Sequence, residues 1–148
     1  MASQSQTKFD PNRLTFDQGL ERIREAVSKV GFDAGGRVTT SRDEGMEDIR
    51  RVLEVENVPA GFRKWQLPVY LESASQLYVT VAEPGAKAGR HSHDEGDGIR
   101  FIAGGSIRYE NRELSPGDWM FIPKGQAYEF EVGPFGALMC YCYCCSCA

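Results

Sequence analysis

The chain of 148 residues contains two histidines, His91 and His93, and they stand two positions apart. On an extended strand, residues i and i+2 point to the same face. Two imidazoles side by side suit a metal chelate or an acid–base pair. The surrounding stretch runs Pro84-Gly-Ala-Lys-Ala-Gly-Arg-His-Ser-His-Asp-Glu-Gly-Asp97. Its Pro84-Gly85 turn and its polar run do not decide between the two chemistries.

The elements that must position this stretch fall into two kinds. Phe16, Leu20, Ile23, Val27 and Val30 recur at steps of four and three, one apolar stripe on a helix. Thr15 with Gln18 gives its capping box, Asp10-Pro11 is a candidate start, and Gly31 ends it. Ser41 with Glu44 caps a second, shorter helix carrying Met46, Ile49, Val52 and Leu53. After Gly61 the period changes from helical to alternating. Strands are expected over 65–71 (an edge, because of Pro68), 77–81, 99–103, 106–110, 119–122, 127–132 and 137–143. Gly104-Gly105, Asn111, Pro116-Gly117, Lys124-Gly125 and Gly133-Pro134 separate them. Short strands at near-regular spacing with such turns imply a sandwich or barrel. Residues 1–60 then form a helical extension packed on a barrel of residues 61–148.

Length and composition fit one soluble domain with a real core. A net charge of −4 without a basic run gives no footprint for nucleic acid. No apolar run has membrane-spanning length, and the polar N-terminus shows no secretory signal. The expected location is cytoplasmic. All five cysteines, Cys140, Cys142, Cys144, Cys145 and Cys147, lie in the last nine residues. An odd, crowded set is a poor disulfide framework. On the last strand Cys140, Cys142 and Cys144 share one face and Met139, Tyr141 and Tyr143 the other. The cysteine face is read first as packing, then as a soft-metal or redox patch, and last as a tail that is itself modified.

Two spaced motifs carry a resemblance. Gly85, His91, His93, Asp97 and Gly104 resemble the first cupin motif, and Gly117, Pro123, Gly125 and Tyr128 the second. The resemblance covers about residues 65–146. It implies a mainly β protein: a cupin double-stranded β-helix, a jelly-roll-like barrel, with two N-terminal helices. The departures are specific. Asp97 stands where the family has a glutamate ligand, Tyr128 where it has a third histidine, and Val132 at its closing asparagine.

What the resemblance implies for the site stays divided. His91, His93 and Asp97 as metal ligands would suit a divalent ion such as Fe, Mn, Ni or Zn, with Glu95 a rival carboxylate and Tyr128 a fourth ligand or an acid over the open position. Without metal, His91 or His93 is the base, Tyr128 the acid, and Asp97 orients an imidazole. Arg90 and Arg100 are candidates for a substrate phosphate or carboxylate, although alternation from Asp97 sends Arg100 outward and Ile99 and Phe101 inward. Tyr78, Arg90, Phe101 and Phe130 are the candidate substrate contacts. The expected function is enzymatic work of oxygenase, lyase or isomerase type on a small polar, oxygen-rich metabolite. One alternative is acid–base isomerisation, epimerisation or dehydration of a sugar or nucleotide-linked substrate. The other is a cupin that binds or senses a small molecule without catalysis. A homodimer is expected, with no nucleic-acid or membrane partner.

Overall fold

The computed structural model describes residues 14–144. The expected helix start at Asp10-Pro11 and the cysteines Cys145 and Cys147 lie outside them. The chain divides into two compact units, one taking in the described residues up to Asp33 together with Glu47–Tyr70, the other Ala34–Met46 and the chain from Leu71 on. Residues 34–46 thus group with the strands.

In the helical unit, α1 (Phe16–Val30) begins at the expected capping box, in which Thr15 Oγ1 accepts from the Gln18 amide and the Gln18 side chain accepts from the Thr15 amide. It ends at Gly31 in the left-handed region, φ 75°. The helix α2 (Met46–Val52) opens at the boundary between the units. Ile23, Ala26, Ile49 and Leu53 are buried. Arg22 reaches the far end of α2, donating to the Glu54 carbonyl at 2.8 Å and the Val52 carbonyl at 3.3 Å. Those carbonyls have no partner inside the helix, so the guanidinium supplies one. The expected strand over 65–71 is reduced to one bridge, Trp65 to Glu54. Pro68 lacks the amide that a longer ladder would use. No described helix is long and apolar enough to cross a membrane.

The other unit is an antiparallel sheet in the order β1-β6-β4-β7-β2, with β3 paired to β7 and β5 to β4. Its strands are β1 (Thr39–Thr40), β2 (Gln76–Ala82), β3 (Lys87–His91), β4 (Gly98–Tyr109), β5 (Arg112–Leu114), β6 (Trp119–Ile122) and β7 (Tyr128–Tyr143). The mainly β architecture with two helices is the expected one. Two expected turns are absent, because Gly104-Gly105 and Gly133-Pro134 lie inside single long strands. The β4–β7 ladder shifts register between Ile102 and Gly104 and again between Gly105 and Ile107. These glycines make bulges rather than hairpins. Gly105, at φ +64°, lies so close to the Gly136 carbonyl that a methyl group would collide with it. The core beneath contains Val38, Ile102, Ile107, Leu114, Met120, Ile122, Val132 and Met139, with Tyr128, Tyr141 and Tyr143.

Candidate functional site

The site is built where β3 meets β7. His91 is the last residue of β3 and sits directly across from Tyr128, the first of β7. His93 follows just beyond the strand, its carbonyl accepting from the Gly125 amide at 2.8 Å. The turn at Lys124-Gly125 therefore clamps the histidine loop in place. Three rings converge: His91 and His93 are edge to face at 5.0 Å, and Tyr128 lies 4.7 Å from His91 and 5.8 Å from His93.

Hydrogen bonding gives this cluster a direction. Arg100 Nη2 donates to Tyr128 Oη at 3.2 Å, and Tyr128 Oη lies 3.2 Å from His93 Nε2. Since the guanidinium only donates, the tyrosine proton is free to go to His93, and the His93 proton is assigned to Nδ1. His91 Nδ1 lies 2.6 Å from the Gly89 carbonyl, which only accepts, so that nitrogen is the protonated one in a neutral ring. Nε2 of His91 is then a bare lone pair. His93 is 5 % exposed, while His91 is half-buried. Burial above all, then the charges of His91 and Arg100, holds the His93 pKa below its usual value. Neutral His93 is the form in which the chain of bonds closes.

Arg100 is the residue that sequence alternation misplaced. It is 6 % exposed and points inward, while Phe101 is 37 % exposed and lies on the outer face. The reason is parity. Asp97 precedes β4, and the strand begins at Gly98, which is buried, so facing cannot be counted from Asp97. Arg100 is stacked on Tyr141 at 4.4 Å and Phe130 at 5.1 Å. Its Nε and the hydroxyl of Tyr141 are buried without a hydrogen-bond partner among the described residues. The Tyr141 hydroxyl lies beside that of Tyr128 but outside bonding geometry, and burial first, then Tyr128, pushes its pKa well up. Tyr141 remains a neutral hydroxyl. Room for its ring comes from Gly98, where a methyl group would meet the hydroxyl and approach the ring carbons to 2.7 Å. The last strand keeps its expected two faces, but the tyrosine face is the interior one. Cys140, Cys142 and Cys144 are free and half-buried.

The carboxylates are turned to other tasks. Asp97 Oδ1 accepts from the Lys124 amide at 2.7 Å. Glu95 is held by Tyr143, whose hydroxyl donates to its carboxylate at 2.8 Å and accepts from its amide at 3.2 Å. Among the described residues no three histidine, cysteine, aspartate or glutamate side chains come together as a set for a metal ion. Asp97 is thus not gathered with His91 and His93 into a three-ligand set among the described residues. Tyr78 is half-buried against the core and donates to Gln76 at 2.8 Å. Arg90 is exposed and lines a charged groove of about 520 Å³ with Lys87, Arg108, Glu129 and Glu131. Of the four expected substrate contacts, Phe130 is brought to the cluster through Arg100 and Phe101 lies on the outer face, while Arg90 lines its groove together with Tyr128 and Phe130. The signal that could have found Arg100 is its two-residue offset from buried Gly98 and Ile102.

No family model matches the chain, and no curated protein matches it. Several similar solved structures are cupin or cupin-like proteins. A Shewanella frigidimarina protein containing a cupin-2 domain is 17 % identical over 48 % of this chain and 71 % of its own, with a TM-score of 0.40. A Bacteroides fragilis cupin protein is 19 % identical over 51 % and 70 %, also at 0.40. Rhodobacter sphaeroides SigE in complex with the anti-sigma ChrR scores 0.42 at 12 % identity, over 48 % of this chain and 39 % of the matched one. None of these three scores reaches 0.5, and the chain's own strand pairing remains the ground for its fold.

Proposed function

We propose that this protein is an acid–base enzyme, working without a metal on a small, anionic, oxygen-rich metabolite such as a hydroxy acid, keto acid or sugar acid. The observation that carries the reading is the directed chain Arg100–Tyr128–His93 with the bare Nε2 of His91 beside it. A histidine that titrates near neutrality is suited to remove a proton next to a carbonyl. In this reading His91, the half-buried member, takes that proton at Nε2. Tyr128 gives one up on the other side. The Arg100 charge stabilises the tyrosinate left behind, and His93 holds the hydroxyl in line. One proton is gained and one lost, so return of the proton from His91 to Tyr128 resets the site. Arg100, a buried cation with an unpaired Nε, favours an anionic substrate.

A second reading, a barrel that binds a small molecule without catalysis, is favoured by one observation. Tyr128, Tyr141 and Tyr143 are each at most 2 % exposed and fill the interior around His93. Deuterium wash-in separates the two. In D2O with a chelator present, small hydroxy, keto and sugar acids are followed by proton NMR. Acid–base catalysis predicts exchange at the carbon next to the carbonyl, lost in His91→Gln and in Tyr128→Phe. Binding without exchange would select the second reading. Exchange that appears only on adding a divalent metal would overturn both.

A further inference from the structure

The helical unit holds a groove of about 470 Å³, lined by Leu20 and Ile23 of α1, by Val55, and by Trp65, Leu67 and Val69 across from the helix. Every lining residue belongs to this unit. The Gln66 side chain ties the far wall to the helix, donating to the Gly19 carbonyl at 2.9 Å. Beyond Gln66, residues 67–70 make no backbone–backbone hydrogen bond among the described residues, and Pro68 keeps them from closing as a strand. Leu14, Phe16 and Trp65, which also line the groove, are 46 %, 74 % and 40 % exposed. Apolar walls, a few polar groups and this volume are the make-up of a small-molecule site.

The charges are of one sign and lie at one end. Arg22 and Lys64 are the charged lining residues, and no carboxylate joins them. Arg22 donates to the Glu54 carbonyl at 2.8 Å, and the next amide, Val55, donates to the Lys64 carbonyl at 2.8 Å. Both cations therefore meet at Glu54-Val55. The Glu54 carboxylate is itself engaged by Arg50 and Arg63. Among the described residues neither Arg22 nor Lys64 makes an ion pair. We infer that this groove binds an amphiphilic carboxylate, one carboxyl group on a medium-length aliphatic chain. The chain lies along Leu20, Leu67 and Val69, and the carboxylate takes charge-assisted bonds from Arg22 and Lys64. An uncharged apolar ligand would leave both cations unused, and a second charge on the ligand would be set against an apolar wall. Nothing in this depends on the chemistry at His91.

An NMR titration of the isotope-labelled full-length chain tests it, with decanoate as the probe and decanol as its uncharged counterpart. The two tryptophans are built-in reporters, because Trp65 lines the groove and Trp119 is buried in the other unit. Decanoate is expected to give saturable shifts at Leu20, Leu67 and the Trp65 indole, while Trp119 and the β2 amides stay in place. Decanol should bind about tenfold more weakly, the worth of one hydrogen bond to a charged group. Lys64→Glu should bring decanoate down to the decanol level. Shifts that do not saturate, shifts centred on the exposed Leu77 to Val81 face, or equal affinity for the two probes overturn the inference. So does a Lys64→Glu chain with wild-type affinity for decanoate. Should Lys64→Glu fail to fold, the comparison of the two probes on wild type decides.

Discussion

Tyr128 and His93 share one proton site: the tyrosine oxygen lies 3.2 Å from Nε2 of a histidine that burial keeps neutral. The phenol is at the same time the only hydrogen-bonded oxygen within reach of the Arg100 guanidinium among the described residues. One hydroxyl thus reconciles a buried cation with a buried base.

Removing that hydroxyl leaves two polar groups without partners. Tyr128→Phe is expected to cost about 1–3 kcal/mol for each buried group orphaned. Urea unfolding measures the sum. Nitrogen NMR of the same variant should show His93 no longer fixed in its Nδ1–H form. Unchanged stability together with an unchanged tautomer would mean that the contact is incidental.

Arg100→Met should behave in the opposite sense. An uncompensated buried charge replaced by an apolar side chain of similar length is expected to be neutral or stabilising by up to about 4 kcal/mol. Loss of the nearby positive charge should also let His93 protonate at a higher pH. A large loss of stability in Arg100→Met would show that the guanidinium is a structural anchor. Gain of stability with loss of deuterium wash-in is the expected pair of results.

Stability should fall in mild acid. The folded-state pKa of His93 lies below the ordinary value of 6.5, so the unfolded chain binds the proton first as pH drops. The contribution is therefore fully present above about pH 6.5 and is lost as pH falls through 6.5 toward the lower, folded value. The slope for one proton is at most about 1.4 kcal/mol per pH unit. Unfolding measured at pH 7.5 and pH 5.5 should show the loss in wild type, and a smaller one in His93→Asn. An equal loss in both would assign the acid sensitivity elsewhere.

Gly98→Ala probes how tightly the interior is closed. Its methyl group would press on the Tyr141 hydroxyl and ring. Overpacking of this kind costs about 1–3 kcal/mol. Full tolerance, seen as an unchanged melting temperature, would show that Tyr141 moves freely and that the interior opens readily.

Two-residue alternation made His91 and His93 legible as a pair, and Tyr128 joined them only through the resemblance of its stretch to the second cupin motif. The alternation of β2 was equally plain. What could not be read was where glycine bends a strand without ending it. Gly104-Gly105 and Gly133-Pro134 look like turns in isolation, and only the approach of Gly105 to Gly136 makes them bulges in two long strands. The facing of Arg100 was hidden for two reasons. The count began at Asp97, one residue before the strand, and a buried arginine without a carboxylate goes against the usual placement of charge. Asp97 and Glu95 were drawn to other partners, the Lys124 amide and Tyr143, through contacts remote in sequence.

The small strand Thr39–Thr40 bears on how the protein can be cut. Its two residues pair with Phe121 and Met120 and are almost wholly buried, and Asp43 just beyond them binds Arg37 and Arg112. A gene fragment starting at codon 61 would encode a sheet with the outer edge of β6 stripped and Arg112 deprived of its carboxylate. Such a fragment should express as insoluble or protease-sensitive material. The sheet cannot be obtained as a contiguous stretch of the chain that leaves both helices behind.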